Sequence, residues 1–521
     1  MSKKVKCEYA SVKSAALLGI DGEIVEIECQ QSLQVPTFSI VGLPVKSARD
    51  ARERVLSALF ASGLSFPSRR IVLNVCPASL GSEDDRSYDL PIAIACLVAA
   101  GKVRDSDLKD AIFMGELTLR GEIKPVRSAL ALHSLHRRGL FQKAYVAIQN
   151  VDSIPEGVSG GAFRDLGSLV KGINLGNLGK FPGPKKLCIP SEDSDASYWS
   201  LICGQSRAKR MLEIAAAGEH HALFMGPMGA GKTTLANSLP SILPPLGLKE
   251  REESQAVYAV RNLSWLGRRP MRAPHPSITP KALLGGGSSC LPGELSLAHA
   301  GVLFMDEMFE ASREVLESLR TVLEEGEVRL ARGQREARLP ARFNFIGAAN
   351  LCPCGSLGSR FGECRCGEEK IENHHRKMSG ALLDRIDLRW CFGWEDRHGE
   401  EPSLVSVRTA VAKARKRMVL RQGFPNGRLR GKEARSALLW SKEALQVMES
   451  VREGVTASFR SSAAVLRVAL TITDLREGGE VSIEDVNEAL SFRRDPRTGF
   501  QDGSRIAGNS IKASREHLLG F

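Results

Sequence analysis

No stretch of this 521-residue chain is apolar for long. Its longest run, LPIAIACLVAAG at residues 90–101, falls well short of the roughly 20 residues that a bilayer-spanning helix needs. The opening MSKKVKCEYASVKSA is basic but has no apolar segment of the secretory kind. No internal repeat or low-complexity tract is present, which excludes solenoid and fibrous architectures. Nor does any segment resemble a base-reading nucleic-acid module. These absences lead to the expectation of a cytoplasmic protein without a membrane partner. In that compartment the twelve scattered cysteines would be reduced thiols.

What is present describes an ordinary globular chain, 25% charged and 43% hydrophobic, and too long for a single compact domain. The formal net charge of +12 suits a polyanionic partner, with a solvated basic surface as the alternative. Residues 175–200 are rich in Gly, Pro, Ser and Asp and read as a loop, so a linker is placed at 181–199. Ahead of it, EIVEIECQ and RIVLNVCP read as strands and SARDARERVLSALFASGL as an amphipathic helix. Behind it, the apolar runs ALFMG, GVLFMDE and FNFIGAAN suggest a helix-covered parallel sheet. From about residue 396 the pattern is helical only. The fold class is α/β.

GPMGAGKTTLA matches G-x-x-x-x-G-K-[ST] from Gly226 to Thr233, after a strand and ahead of a helix. The glycines would let backbone N–H groups curl round phosphates, so Gly226, Pro227, Met228, Gly229, Ala230 and Gly231 form the candidate loop, with Lys232, Thr233 and Thr234 opening the helix. Lys232 is the candidate for the terminal phosphates and Thr233 for Mg²⁺. In GVLFMDE, Asp306 would hold the Mg²⁺ shell and Glu307 would polarise the attacking water. Asn350, at the end of FIGAAN, would orient that water. The expected chemistry is ATP hydrolysis.

SGALLDRIDLRW places Arg385 between an apolar helix end and a strand, where it could pair with Asp384 or Asp387. The order of phosphate loop, LFMDE, GAAN and LLDRID resembles AAA+ ATPases of the magnesium-chelatase and MCM clade. That resemblance makes Arg385 a finger acting on a neighbouring subunit, a contribution of about 10³–10⁵ in rate where such fingers act. It also makes Arg460 the sensor arginine of a helical lid, with Arg467 as second choice. RAPHPSITPKALLGGGSSCLPGELSLAHAGVLFMDE, NLCPCG, SGALLDRIDL and VRTAVAKARKRMVLRQGFPN narrow the resemblance to the Mg-chelatase-like ComM/YifB family, over residues 8–500. The family implies a homo-hexameric ATP-driven motor. It would migrate branched DNA during natural transformation, alongside recombination proteins. The sequence departs from the family at Met228, usually proline, and at Met308-Phe309, usually Leu-Pro.

Two insertions distinguish this clade. The first, residues 271–294, carries Lys281. The second, EVRLARGQREARLPARF, reads as a hairpin with apolar Val328, Leu330, Ala337 and Leu339 and a turn near Gly333-Gln334. Its arginines, Arg332, Arg335 and Arg338 among them, either guard a solvated edge or track DNA phosphates in a ring's pore. The match of Arg332 to the family's basic hairpin favours the pore. A second basic run, residues 408–435, holds ten Lys or Arg against one acid, with Val411, Ala414 and Met418 as an apolar stripe. It reads either as a DNA contact or as a lid helix with a charged outer face.

The expected layout is a Lon-like (S5-type) α+β domain at 1–180, an AAA+ P-loop core at 200–395 and a helical lid at 396–505 with a tail at 506–521. The first domain resembles the Lon protease domain in LPIAIACLVAAG and FMGELTLRGEIKPVRSALALHSLHRRG. Ser87 lies near the nucleophile position, but Leu130 and Leu132 occupy the helix where the activating lysine is expected. No peptidase activity is expected. Finally, Cys352, Cys354, Cys364 and Cys366 form C-x-C-x9-C-x-C within the loop 350–367. Structural zinc, a redox switch and free thiols are all open readings, with zinc favoured because glycines surround the cluster. Three functions remain: a DNA branch-migration motor, a chelatase-type chaperone ATPase that remodels a protein partner, and, least favoured, an ATP-dependent peptidase.

Overall fold

A computed structural model of the chain describes residues 8–64, 69–78, 86–104, 108–176, 179–180, 196–287, 290–332, 335–359, 362–392, 402–453 and 459–493. The tail, most of the expected linker and the hairpin turn Gly333-Gln334 lie outside the described residues.

The first half forms an eight-stranded mixed sheet. Its strands are β1 (Glu8–Leu18), β2 (Asp21–Ser32), β3 (Thr37–Val41), β4 (Arg70–Cys76), β5 (Ala111–Met114), β8 (Lys143–Ala147), β9 (Ser159–Phe163) and β10 (Gly179–Lys180), with β6 (Glu116–Leu117) and β7 (Ile123–Lys124) making a separate hairpin. The spatial order is β10-β9-β8-β5-β1-β2-β4-β3. Because side chains alternate along a strand, β5 sends Ala111 and Phe113 to one core and Ile112 and Met114 to another. The first core is closed by α1 (Val45–Ala61), α2 (Asp89–Ala99) and α4 (Leu166–Asn174), the second by α3 (Ala131–Arg137).

The second half is built on five parallel strands in the order β12-β15-β18-β11-β19. These are β11 (Ala222–Met225), β12 (Met271–Arg272), β15 (Val302–Met305), β18 (Asn344–Ala349) and β19 (Leu388–Cys391). Every residue of β11, β15 and β18 is buried, as the uninterrupted apolar runs require of a sheet covered on both faces. The covering helices include α6 (Ser206–Gly218), after the short α5 (Ala196–Ser200), and α7 (Lys232–Ser238), whereas α8 (Leu248–Val260) buries Val257 and Tyr258 in a separate small core with Trp265 and Leu297. The first insertion holds α9 (Pro280–Leu284), the hairpin β13 (Gly285–Gly286) and β14 (Leu291–Pro292), and the start of α10 (Glu294–Leu297). Helix α11 (Arg313–Glu325) shows how locally such elements are specified. Ser312 caps its N-terminus by accepting from Val315 N–H, Gly326 ends it at φ +71°, and Val315, Leu316, Leu319 and Val322 are its buried stripe.

Next come the hairpin β16 (Glu327–Arg332) and β17 (Arg335–Pro340), then α12 (Glu368–Arg376) and α13 (Gly380–Leu383). The C-terminal region is helical among the described residues: α14 (Leu404–Gln422), α15 (Gly431–Ser436), α16 (Lys442–Glu453), α17 (Phe459–Leu475) and α18 (Ile483–Ser491). It shares one core with the sheet. The two halves also meet at the β1–β2 turn. A side chain at Gly19 would come within 2.9 Å of Leu339 Cδ2, and Leu18, Cys290 and Ala337 bury one another there. No helix of the described residues is long and apolar enough to cross a membrane.

Candidate nucleotide-binding site

The carboxyl ends of β11, β15 and β18 lie side by side, the place where open parallel sheets bind ligands. The loop after β11 turns through Gly229 at φ +77° and Gly231 at φ +88°, a backbone that only glycine adopts without strain. Helix α7 then starts at Lys232. The Lys232 ammonium is almost fully buried and donates to Gly226 O at 2.8 Å, Pro227 O at 2.9 Å and Asn350 Oδ1 at 3.0 Å. Burial pushes its pKa down, and the charge of Asp306 works against that shift. Thr233 Oγ1 donates to Asp306 Oδ2 at 2.8 Å, so the two oxygens expected to share Mg²⁺ already face each other. Glu307, at φ +45°, is exposed, and its N–H donates to Asp306 Oδ1. Five of the expected catalytic and Mg²⁺ residues therefore converge at one edge.

Arg385 and Arg467 do not join them. Leu388, the first residue of β19, pairs with Ala222, the first of β11, so the segment before it lies at the amino ends of the strands. A four-residue strand separates the two edges by about 10 Å. Arg385 bonds Ala381 O and Glu324, not Asp384 or Asp387. Arg467 instead takes Asp387, donating to Oδ1 at 2.6 Å. Both arginines line a cavity of about 780 Å³, together with Arg342, Arg428, Arg430 and Glu324. Arg460 is within α17, but its side chain lies outside the described residues.

The four cysteines of the loop form one cluster. Their sulfurs all lie within 4.8 Å of one another, with Cys352–Cys354 at 3.3 Å, Cys352–Cys364 at 3.5 Å and Cys354–Cys364 at 3.7 Å. Thiolates about 2.3 Å from a shared zinc would stand about 3.8 Å apart, so the donor set fits a tetrahedral ion. Leu357 N–H donates to Cys352 Sγ at 3.3 Å. A bond from the Ser356 N–H holds the Cys354 thiol down at about 6, whereas burial pushes Cys364 up to about 12.

This loop touches the phosphate loop directly. Met228 N–H donates to Gly355 O at 3.1 Å. On its far side, His374 Nε2 lies 3.2 Å from Asn350 O and His375 Nε2 lies 2.9 Å from Leu351 O. Phe309 meets the His374 ring edge-on at 5.0 Å between centroids. Sequence reasoning missed these histidines. The one signal was a His-His pair on the helix directly after the last cysteine.

Of the other candidates, Lys281 is exposed on α9. The hairpin pairs Val328 with Leu339 and Leu330 with Ala337, and it brings Arg332 opposite Arg335 at its tip. The side chains of Arg332 and Arg335 lie outside the described residues. Arg338 is exposed, 3.9 Å from Glu327 and 3.8 Å from Glu336. In the second basic run, Val411, Ala414 and Met418 are buried, and several arginines are used internally. Arg415 and Arg428 bond Glu219, and Arg421 bonds Asp474. Lys413 and Lys416 remain exposed.

Comparison with known proteins covers almost the whole chain. Residues 198–393 match the family model for magnesium chelatase, subunit ChlI. Residues 25–150 match a second ChlI model, and residues 401–493 match the model for the ChlI C-terminal region. The YifB protein of Salmonella typhimurium is 34% identical over 496 residues, covering 93% of this chain and 97% of its own. The competence protein ComM of Haemophilus influenzae is 34% identical over 507 residues, with 93% and 97% covered. The magnesium-chelatase 38 kDa subunit of Cereibacter sphaeroides is 27% identical over 173 residues, 29% of this chain and 52% of its own. Since the YifB and ComM relatives each align over 93% of the chain and 97% of their own length, the chain belongs to the ComM/YifB family of magnesium-chelatase-like proteins.

Proposed function

We propose that this protein is a cytoplasmic AAA+ ATPase that assembles as a homo-hexameric ring and drives branch migration of DNA, independently of sequence, during recombination of incoming DNA. The observation that carries this reading is the separation of the site into two edges. Lys232, Thr233, Asp306 and Asn350 face one another at one end of the sheet, and Arg385 and Arg467 share a cavity at the other, lined by five arginines and five carboxylates. A ring unites the two halves by seating one subunit's arginines on the next subunit's phosphate loop.

In that arrangement ATP supplies the bond to be cleaved and Mg²⁺ the charge neutralisation. The chain's own groups do the rest. Lys232 steadies the phosphates, Thr233 and Asp306 hold the metal, Glu307 draws the proton from water and Asn350 aims that water. Arg385 meets charge that develops only in the transition state, which raises turnover more than binding. The arginine hairpin, together with Lys281 on α9, would contact phosphates of single- or double-stranded arms. The Haemophilus relative is a competence protein, which supports the DNA side of this reading.

Two further arguments weigh on the alternatives. Ser87 is fully buried, so it presents no nucleophile to a peptide, in keeping with a Lon-like domain that does not cleave. The three magnesium-chelatase matches support the second reading, a chaperone ATPase acting on a protein partner. The deciding experiment is ATP-dependent movement of labelled three- and four-way junctions, with Lys232→Ala as control. Movement lost in the variant supports the motor. No movement, together with ATP hydrolysis indifferent to branched DNA, rejects it.

A further inference from the structure

The cysteine loop and the phosphate loop are distant in sequence and bonded in space. Met228 stands in the middle of the phosphate loop, and its N–H donates to Gly355 O at 3.1 Å. Gly355 follows Cys354 directly and adopts φ +74°, which turns its carbonyl toward Met228. The fit is close. A β-carbon at Gly355 would stand 2.6 Å from Met228 Sδ and 3.7 Å from Asn350 Nδ2. Gly355 N–H in turn donates to Cys352 O at 3.0 Å, so the glycine is held from within the cluster.

The same cluster is braced on its other side. His374 and His375 reach the carbonyls of Asn350 and Leu351, and Asn350 is one of the three acceptors of the Lys232 ammonium. Two routes thus lead from the four sulfurs to Lys232. One passes through Gly355 and Met228, the other through Asn350. Little apolar burial orders the intervening segment: among its described residues, Leu351 and Cys352 are buried but most others are at least partly exposed. A tetrahedral ion would supply the order that a core does not.

We infer that Zn²⁺ held by Cys352, Cys354, Cys364 and Cys366 sets the affinity of the phosphate loop for nucleotide, by fixing Gly355 as the backbone acceptor for Met228. This rests on the ATPase reading of the site. It also gives Met228 a specific consequence. A proline at this position would have no N–H, so only a residue other than proline can donate the bond. The sensitivity of nucleotide binding to zinc therefore runs through the Met228 N–H.

The test uses the full-length protein without DNA. Metal analysis, a zinc-selective chelator and a fluorescent ATP analogue provide the readouts, with a thermal melt as the check on folding. Wild type is expected to carry about one zinc per chain. Chelation, or Cys354→Ser, is expected to weaken analogue binding about 3- to 10-fold, the range for one lost hydrogen bond. Met228→Pro should keep its zinc, bind the analogue as weakly as chelated wild type and respond little to chelation. Met228→Ala keeps the N–H and should respond as wild type does. Protein without zinc, affinity unchanged by chelation, or Met228→Pro as sensitive as wild type would each overturn the inference. Zinc-loaded wild type that binds no analogue would instead overturn the ATPase reading beneath it.

Discussion

Arg467 reaches across from the C-terminal helices to Asp387, donating to Oδ1 at 2.6 Å, while His220 Nδ1 lies 2.8 Å from the other carboxylate oxygen. A carboxylate only accepts, so Nδ1 of His220 carries the proton. Burial alone would push the Asp387 carboxyl up, yet Arg467 and His220 hold it well below the usual carboxylate range. One buried acid, just ahead of β19, thus joins α17 to the segment that enters β11. Asp387→Ala leaves an arginine and a histidine without their acceptor and is expected to cost about 3–5 kcal/mol. The urea midpoint should fall at unchanged slope; a loss below about 1 kcal/mol would mean that the helices are anchored elsewhere.

Glu219 predicts a pH dependence. Burial acts to raise its pKa, but Arg415 and Arg428 outweigh it and bring the value to about 2, against an ordinary 4.5. The folded pKa is depressed, so its stabilisation is complete above 4.5 and is lost as the pH falls through 2. The stability difference between wild type and Glu219→Gln should therefore be constant from neutral pH down to about 4.5 and shrink below it. A difference that already narrows near neutrality contradicts the ion pairs.

Subunit mixing tests the division of the ATP site between two edges. Arg385→Ala should retain nucleotide binding and lose hydrolysis on the order of 10³-fold. Lys232→Ala should bind nucleotide poorly. Mixed together, the two inactive proteins should recover measurable ATPase activity, because some interfaces pair an intact Lys232 with an intact Arg385. Activity no greater than the sum of the parts would place Arg385 outside the reaction.

The hairpin predicts a change in salt dependence. Arg332→Ala should reduce the log–log slope of duplex affinity against salt by about 0.9, without altering sequence preference. Arg338→Ala should change it less, since Glu327 and Glu336 already lie within 4.0 Å of its guanidinium. Equal effects from both would argue against a tip that meets the phosphates first.

Much of the candidate nucleotide site was legible in the sequence because its parts are local. A phosphate loop is a spacing of glycines between a strand and a helix, and Asp306 and Asn350 are each the residue after an apolar run that becomes β15 or β18. The hairpin was legible for the same reason, as alternation sets its register at Val328–Leu339 and Leu330–Ala337. The basic run was ambiguous. Spacing showed one buried stripe on α14, but not that Glu219 and Asp474 would take up Arg415 and Arg421.

What the sequence by itself determined were the elements and the chemistry that each carries at its end, since propensity, capping and strand alternation act over a few residues. Partners were decided by the tertiary structure alone. Arg385 met Glu324 and Asp387 met Arg467 because parallel register brings those segments to the amino edge, away from Lys232. His374 and His375 reached the backbone beside Asn350 because the cysteine loop folds α12 back over it. Such pairings span 24 to 80 residues, and no local spacing encodes them. They arise only when buried strands align and leave particular donors and acceptors face to face, away from water.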